Sequence, residues 1–405
     1  MMTATAERQT GRTADAGVVD GAAASLPGNT SGCRAAALPR RWWVAAVGLS
    51  LLLASCGKKP PADFAPDPGL VARITELRIE VPSFACPGQT IPAAYTAILE
   101  DGSELPFATS YDEDNPPMLH VVFLSRYAAS ARALGNGNWA LEPDPLVSAV
   151  EGFRLRALLR ANPAIAAELV VAPDYGCLDH ALAFVGAPGR EGTAGGPGPN
   201  VTVRLGLLSS PFVERLIVAE VTVEQAPPLY VLADAELVPP SDWLQVAAVG
   251  GRGNRGTDGR AGTKGATGRA GCPGGPGGAG GGGGDGGPGS DGGTGGHVTV
   301  IAPEEEPFLA GLVEALTDGG PAGPGGRPGK GGEGGDGGAA QGDLRRCAPG
   351  PRGSNGPDGR PGPEGRPGRL GPRPQIITVP AARVFGARPR AELQALLTYH
   401  EGAQR

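Results

Sequence analysis

Gly283-Gly284-Asp285-Gly286-Gly287-Pro288-Gly289-Ser290-Asp291-Gly292-Gly293-Thr294-Gly295-Gly296-His297-Val298-Thr299-Val300 is the stretch that decides how this chain is built. Glycine recurs there on a strict three-residue register, which then gives way to a short β-branched run. The register extends from Gly250 to Gly295, occurs again from Gly186 to Gly198, and a third time from Gly320 to Gly371, where Gln341, Leu344 and Cys347 interrupt it. Three residues per turn is polyproline II geometry: every third residue falls on one line of the helix, and glycine on that line lets backbones touch. Each tract runs into a strand-like segment, Val201-Thr202-Val203, Val298-Thr299-Val300 or Ile376-Ile377-Thr378-Val379, so all three tracts are expected to belong to the folded body.

Two uses of such a register are open. A collagen triple helix needs one glycine in three and favours proline elsewhere, and Gly350 to Leu370 reads that way (GPR GSN GPD GRP GPE GRP GRL). Gly274 to His297 carries glycine at almost two positions in three, and the surplus raises the ordering cost with no gain in a three-chain coil. In a side-by-side bundle, a helix with neighbours on two faces needs two bare lines. Its N–H and C=O groups then pair with those neighbours. The bundle is the preferred expectation, with a monomeric chain; a homotrimeric stalk is the alternative.

Seventy Gly and 42 Pro against 5% aromatic residues exclude one packed core along the whole chain. The formal charge of -6 has both signs interspersed, which points away from nucleic acid. Arg40-Arg41 precede an uncharged run from Trp42 to Ser55, too short for a bilayer span but of signal-peptide length. The run ends in Leu53-Ala54-Ser55-Cys56, which resembles a bacterial lipobox. That resemblance implies that Cys56 carries diacylglycerol and becomes the mature N-terminus, and Gly57 in place of Asp implies the outer membrane as destination. Cys86, Cys177, Cys272 and Cys347 remain, an even number in an oxidising compartment. Three pairings are possible. Cys86 with Cys177 and Cys272 with Cys347 is preferred because each pair then stays within one compositional region.

Residues 56–70 read as a solvated tether. Period-two alternation begins near Val71, with Leu77, Ile79 and Val81, then Ala93 to Leu99 before the turn Glu100-Asp101-Gly102. Further strands are expected at 119–124, 169–171, 181–185, 201–208, 213–224, 229–232 and 244–249, which suggests an immunoglobulin-like β-sandwich over 71–249. Helices are expected from Asp144-Pro145 to Asn162, from Glu304 to Leu316, and from Ala391 to His400. The fold class is therefore mainly β with polyproline II: a sandwich-like domain (71–249), a glycine-rich bundle (250–380) and a C-terminal helix (381–405), after a signal segment (1–55).

The string from Gly283 to Ala302, with the later GKGGEGGDGG from Gly329 to Gly338, resembles the glycine-rich N-terminal domain of the Obg family of GTPases. The resemblance implies a bundle of polyproline II helices on a small β-body. Its GTPase domain has no counterpart: Gly331 follows Lys330, and Pro324 stands where GxxxxGK[ST] requires Gly. The GXY count also resembles bacterial collagen-like surface proteins. Candidate chemistry is sparse. His120, His180, His297 and His400 share no metal-ligand spacing. Cys177 with His180 has the makings of a nucleophile and base, but a disulfide is the expected fate of Cys177. Asp112-Glu113-Asp114, and Asp285, Asp291 and Asp336 together, offer carboxylate oxygens to Ca²⁺, but solvated charge is the preferred reading of both groups. No catalytic residue, cofactor or metal is expected. Expected partners are a membrane, through the lipid, and an envelope polysaccharide or surface protein.

Overall fold

The computed structural model describes residues 59–342 and 347–403, and it is mainly β with few helices. Ten strands precede residue 174: β1 (Ile74–Glu80), β2 (Phe84–Ala85), β3 (Thr90–Ile91), β4 (Ala94–Leu99), β5 (Glu104–Pro106), β6 (Leu124–Tyr127), β7 (Ala131–Ala133), β8 (Trp139–Leu141), β9 (Phe153–Leu159) and β10 (Asn162–Pro173). They form three small sheets, ordered β1-β4-β5, β2-β10-β9-β6 and β3-β8-β7. Their inward residues make one core, including Ile74, Leu77, Tyr95, Trp139, Phe153 and Leu155. The Tyr95 hydroxyl donates to Gly137 O at 2.9 Å, which satisfies a polar tip inside that core.

Eight strands follow: β11 (Ala181–Val185), β12 (Asn200–Leu208), β13 (Leu216–Val223), β14 (Leu229–Asp234), β15 (Leu244–Val249), β16 (His297–Pro303), β17 (Val313–Leu316) and β18 (Gln375–Val379). β11, β15 and β17 pair in parallel, as do β12, β16 and β18; β13 and β14 extend the latter sheet antiparallel from β12. The pattern is three repeats of strand, glycine tract, strand. A chain leaves the first sheet, runs out and back, and re-enters on the second. Because every repeat runs the same way, like strands end up parallel. Val201, Val203 and Leu205 of β12 share a core with Val246 and Ala248 of β15 and Val298 and Val300 of β16. Burying each of these valine and leucine side chains contributes roughly 1.5–3 kcal/mol.

Several expectations are corrected. An immunoglobulin-like order is antiparallel throughout, whereas the strands that flank the tracts are parallel, and the pairings of β12 with β16 and β15 with β17 cross the boundary expected at residue 249. The helix expected after Asp144 lasts one 3-10 turn (Pro145–Ser148), although Asp144 does cap it, accepting from Leu146 N–H at 3.1 Å. Gly152, at φ +64°, ends the turn, and Phe153, Leu155, Ala157 and Leu159 alternate with exposed or half-buried neighbours as a strand. The helix expected over 304–316 is a 3-10 turn (Pro307–Leu312) followed by β17, because Leu309 and Leu312 enter the core and β17 pairs with β15. Within the expected tether, Phe64 packs on Tyr111 and Phe123 at 4.9 Å between ring centroids, and Asp67 caps α1 (Pro68–Arg73). The C-terminal helix forms as α2 (Ala391–Ala403), its Leu393 and Leu396 buried with Leu216, Val218 and Leu232.

Candidate interaction surface

The second and third tracts are laid out as four limbs, limb 1 (250–271), limb 2 (274–296), limb 3 (317–339) and limb 4 (348–371), none of them helix or strand. Limb 1 donates eight glycine N–H groups to limb 3 in parallel, from Gly250 to Asp318 O through Gly271 to Ala339 O. Limb 2 donates twice per triplet. Its first glycines bond limb 4 in parallel, Gly274 to Ala348 O through Gly295 to Arg369 O, and the second position of each triplet bonds limb 1 antiparallel, Gly275 to Arg269 O through Gly293 to Gly251 O, with Gly296 continuing the series to Ala248 O of β15. Limb 3 donates back to limb 2 (Gly320 to Gly293 O through Gly338 to Gly275 O), and limb 4 to limb 3 (Gly350 to Gly338 O through Gly371 to Thr317 O), both antiparallel. The bonds recur every three residues at 2.7–3.1 Å. The first tract is a short version of the same hairpin: Gly186 and Gly189 donate to Val249 O and Arg252 O, and Gly195 and Gly198 to Asp291 O and Thr294 O.

Glycine content follows neighbour number. Limbs 2 and 3, each bonded to three others, carry paired glycines through most triplets, whereas limbs 1 and 4, bonded to two, carry one. Close approach is the reason. A Cβ on Gly283 would lie 2.0 Å from Gly329 O, and one on Gly332 2.0 Å from Thr263 O. At the base of limb 1, where the short tract adds a neighbour, the sequence becomes Gly250-Gly251, and a Cβ on Gly251 would lie 2.0 Å from Ala187 O.

Side chains take over as acceptors for limb N–H groups that the carbonyl ladder leaves out. Asp258 Oδ1 accepts from Arg327 N–H at 2.8 Å, Asp285 from Arg360 and Asp291 from Arg366 at 2.7 Å, Asp358 from Gly331 at 2.7 Å and Asn355 from Gly334 at 3.0 Å. Asp285 and Asp291 are thus struts between limbs, a role that neither reading of them as Ca²⁺ ligands nor as solvated charge contained. The recurring GxD and GxN triplets were the available signal. Asp336 pairs with Lys264 at 3.0 Å, and these groups hold its carboxyl below the usual range.

Two faces result. On one, limb 1 and limb 4 flank limb 3, and the ion pairs Arg255–Asp258 (3.3 Å), Lys264–Asp336 (3.0 Å) and Arg352–Glu333 (3.1 Å) lie there. On the other, limb 2 presents its third positions (Pro276, Ala279, Gly282, Asp285, Pro288, Asp291, Thr294) between the residues of limbs 1 and 4 whose carbonyls it uses.

The structure joins Cys86 to Cys177 and Cys272 to Cys347, with Cα separations of 6.2 and 4.8 Å. Cys177 is therefore no nucleophile for His180. The lipidation residue expected at Cys56 lies outside the described residues. Asp112 accepts from Asp114 N–H at 3.1 Å in a local turn, and no group of three or more potential metal-ligating side chains occurs among the described residues. A cleft of about 590 Å³ beside α2 is lined by Ser209, Arg215, Glu306, Phe385 and His400, with His400 Nδ1 3.2 Å from Ser209 Oγ. Burial raises the Glu306 carboxyl above its usual range, opposed by Arg215. Nothing in the sequence had marked this cleft. No family model, curated protein or solved structure matches the chain.

His120 and His180 set a pH dependence instead of a site. His120 Nδ1 accepts from Val122 N–H at 3.1 Å, and the buried Nε2 atoms of both rings have no hydrogen-bond partner among the described residues. Burial holds both imidazoles below the usual histidine range, with Asp179 opposing at His180. The unfolded chain, titrating near pH 6.5, then binds protons that the native state resists, so stability falls as pH drops below about 6.5. Denaturant midpoints at pH 7.5 and 5.5 should show this loss. His120→Asn, which keeps an acceptor for Val122, should reduce it; an unchanged difference would remove His120 as its source.

Proposed function

We propose that this chain is a non-catalytic, lipid-anchored module of the bacterial cell envelope, in which a β-sandwich body carries a compact bundle of polyproline II helices that serves as a structural or adhesive surface. The observation that carries the reading is the consumption of the glycine lines within one chain. A collagen-like trimer needs its glycines free to meet a common axis shared with two other chains. Here Gly283, Gly286, Gly289 and their equivalents bond neighbouring limbs of the same chain, so a monomer is the favoured state. The likeness of residues 283–302 and 329–338 to the Obg N-terminal domain supports the same architecture and carries no nucleotide chemistry with it.

Such a bundle is rigid because backbone bonds cross-link it at every triplet, and it exposes long flat faces at little cost in side-chain entropy. These properties suit a spacer or contact surface held at a membrane. Cys56 is the proposed anchor, with the outer membrane as its site. Cells grown with labelled palmitate should yield labelled protein that partitions into detergent, and Cys56→Ser should abolish both label and partitioning. Equal membrane association of the two proteins would overturn the anchor.

A further inference from the structure

We infer that the limb 2 face of the bundle is a docking surface for an acidic polysaccharide. The inference rests on the reading of the bundle as a surface module and names its partner class. Among the described residues of 250–371, the ion pairs lie on the opposite face, where Arg255, Lys264 and Arg352 are matched by Asp258, Glu333 and Asp336. The limb 2 face is built differently. Its flanking rows carry Arg260 and Arg269 from limb 1 and Arg360, Arg366 and Arg369 from limb 4, all exposed or nearly so and none within ion-pair reach of a carboxylate among the described residues. Within the rows of limbs 1, 2 and 4 that make this face the carboxylates are Asp285 and Asp291, and one oxygen of each already accepts the backbone N–H of Arg360 or Arg366. Five guanidinium groups against two committed carboxylates leave the face positive, although the whole chain is at -6.

The backbone fixes the spacing of these charges. Arg360, Arg366 and Arg369 occupy one line of limb 4, the line whose carbonyls accept from limb 2 at Arg360, Arg366 and Arg369 themselves. At ~3.1 Å of rise per residue, that places them at intervals of roughly 19 and 9 Å along a straight row. Between the rows lie Pro276, Ala279, Gly282 and Pro288, which project little, so an extended polymer can lie along the limb from its tip to Pro288, beyond which the first tract comes alongside limb 2 through Gly195 and Gly198 and leaves the limb 4 row of arginines as the open edge. Guanidinium groups bind carboxylate and phosphate oxygens with a planar fork and are less strongly hydrated than ammonium groups. A rigid comb of arginines with no internal partners therefore fits a chain of repeated anionic sugars, for which several weak contacts act together.

The full chain in non-ionic detergent should be retained on immobilised polygalacturonate at low ionic strength and released by salt at about 0.15–0.3 M, where exposed charges are screened. It should pass through neutral dextran. Arg360→Gln/Arg366→Gln/Arg369→Gln should weaken retention about tenfold, while Arg255→Gln/Lys264→Gln on the paired face should leave it within about twofold. Circular dichroism of each variant checks that the fold persists, and because every substituted side chain is exposed, loss of binding is separable from loss of structure. Absence of retention by the wild type, equal retention by the limb 4 variant, or retention only on vesicles of anionic lipid would each overturn the proposal. None of these outcomes bears on the anchor, which is read by lipid labelling alone.

Discussion

Gly283→Ala should destabilise the bundle by about 3 kcal/mol, whereas Gly282→Ala, one residue away, should be neutral or stabilise it by about 0.5 kcal/mol. A Cβ on Gly283 would lie 2.0 Å from Gly329 O and 2.6 Å from its carbonyl carbon, both backbone atoms of a limb that is itself bonded on three sides. No rotamer relieves such a contact, so the limbs must separate, and the bonds from Gly283 to Pro357 O and from Gly329 to Gly284 O weaken with them. Gly282 is a third-position residue on the outer face, and the nearest atom to its Cβ, Cγ of Pro357, would be 3.7 Å away. Alanine there costs no contact and restricts the unfolded chain. Gly284→Ala falls between the two, since its Cβ would lie 3.2 Å from Arg260 N, a contact that a shift of a few tenths of an ångström relieves. Thermal melts of the three variants should therefore rank Gly282→Ala highest and Gly283→Ala lowest, with limb 3 and limb 4 amides losing exchange protection only in the last. Equal melting of the three would mean that the limbs do not pack at these distances.

That ranking is legible in the sequence once the number of glycines in a triplet is understood as a count of neighbours. The GGX run from Gly274 to His297 marks a limb surrounded on three sides, and the GXY run from Gly350 to Leu370, which taken alone suits a collagen helix equally well, marks an outer one. The strands after each tract were visible as β-branched runs. Their parallel arrangement was not, because it depends on each tract doubling back, and nothing local to Val201 or Val298 records a partner 97 residues away in the pairing Val201 to Val298. At Phe153 to Leu159, apolar residues satisfied a helical spacing and an alternating one together, and the left-handed Gly152 decided between them. Asp285 and Asp291 were visible as charges in a glycine tract, but their use as acceptors for Arg360 and Arg366 N–H requires limb 4 to lie alongside limb 2, a contact between residues 75 apart.

Separating Cys272 from Cys347 should produce the other large effect, and it should begin at one end. The bridge closes a loop of 75 residues, which in the chain-entropy account stabilises the fold by about 4 kcal/mol. It sits where limb 1 turns into limb 2 and limb 3 into limb 4, beside the bonds from Gly271 to Ala339 O and from Gly274 to Ala348 O. At the opposite end the limbs are continuous with β15, β16, β17 and β18, whose core residues Val246, Val298 and Val300 hold them in register. With the bridge gone, each pair of limbs is tethered at its base only, and the rungs nearest the turn have the fewest neighbours to restrain them. Cys272→Ala/Cys347→Ala should therefore lower the melting temperature and speed amide exchange first at Gly268, Gly271, Gly274 and Gly350, with Gly250, Gly295 and Gly371 protected until global unfolding. Uniform loss of protection along all four limbs would instead mean that the bundle forms as one cooperative unit whose stability is set at its tip, and an unchanged melting temperature would mean that the backbone ladder alone suffices.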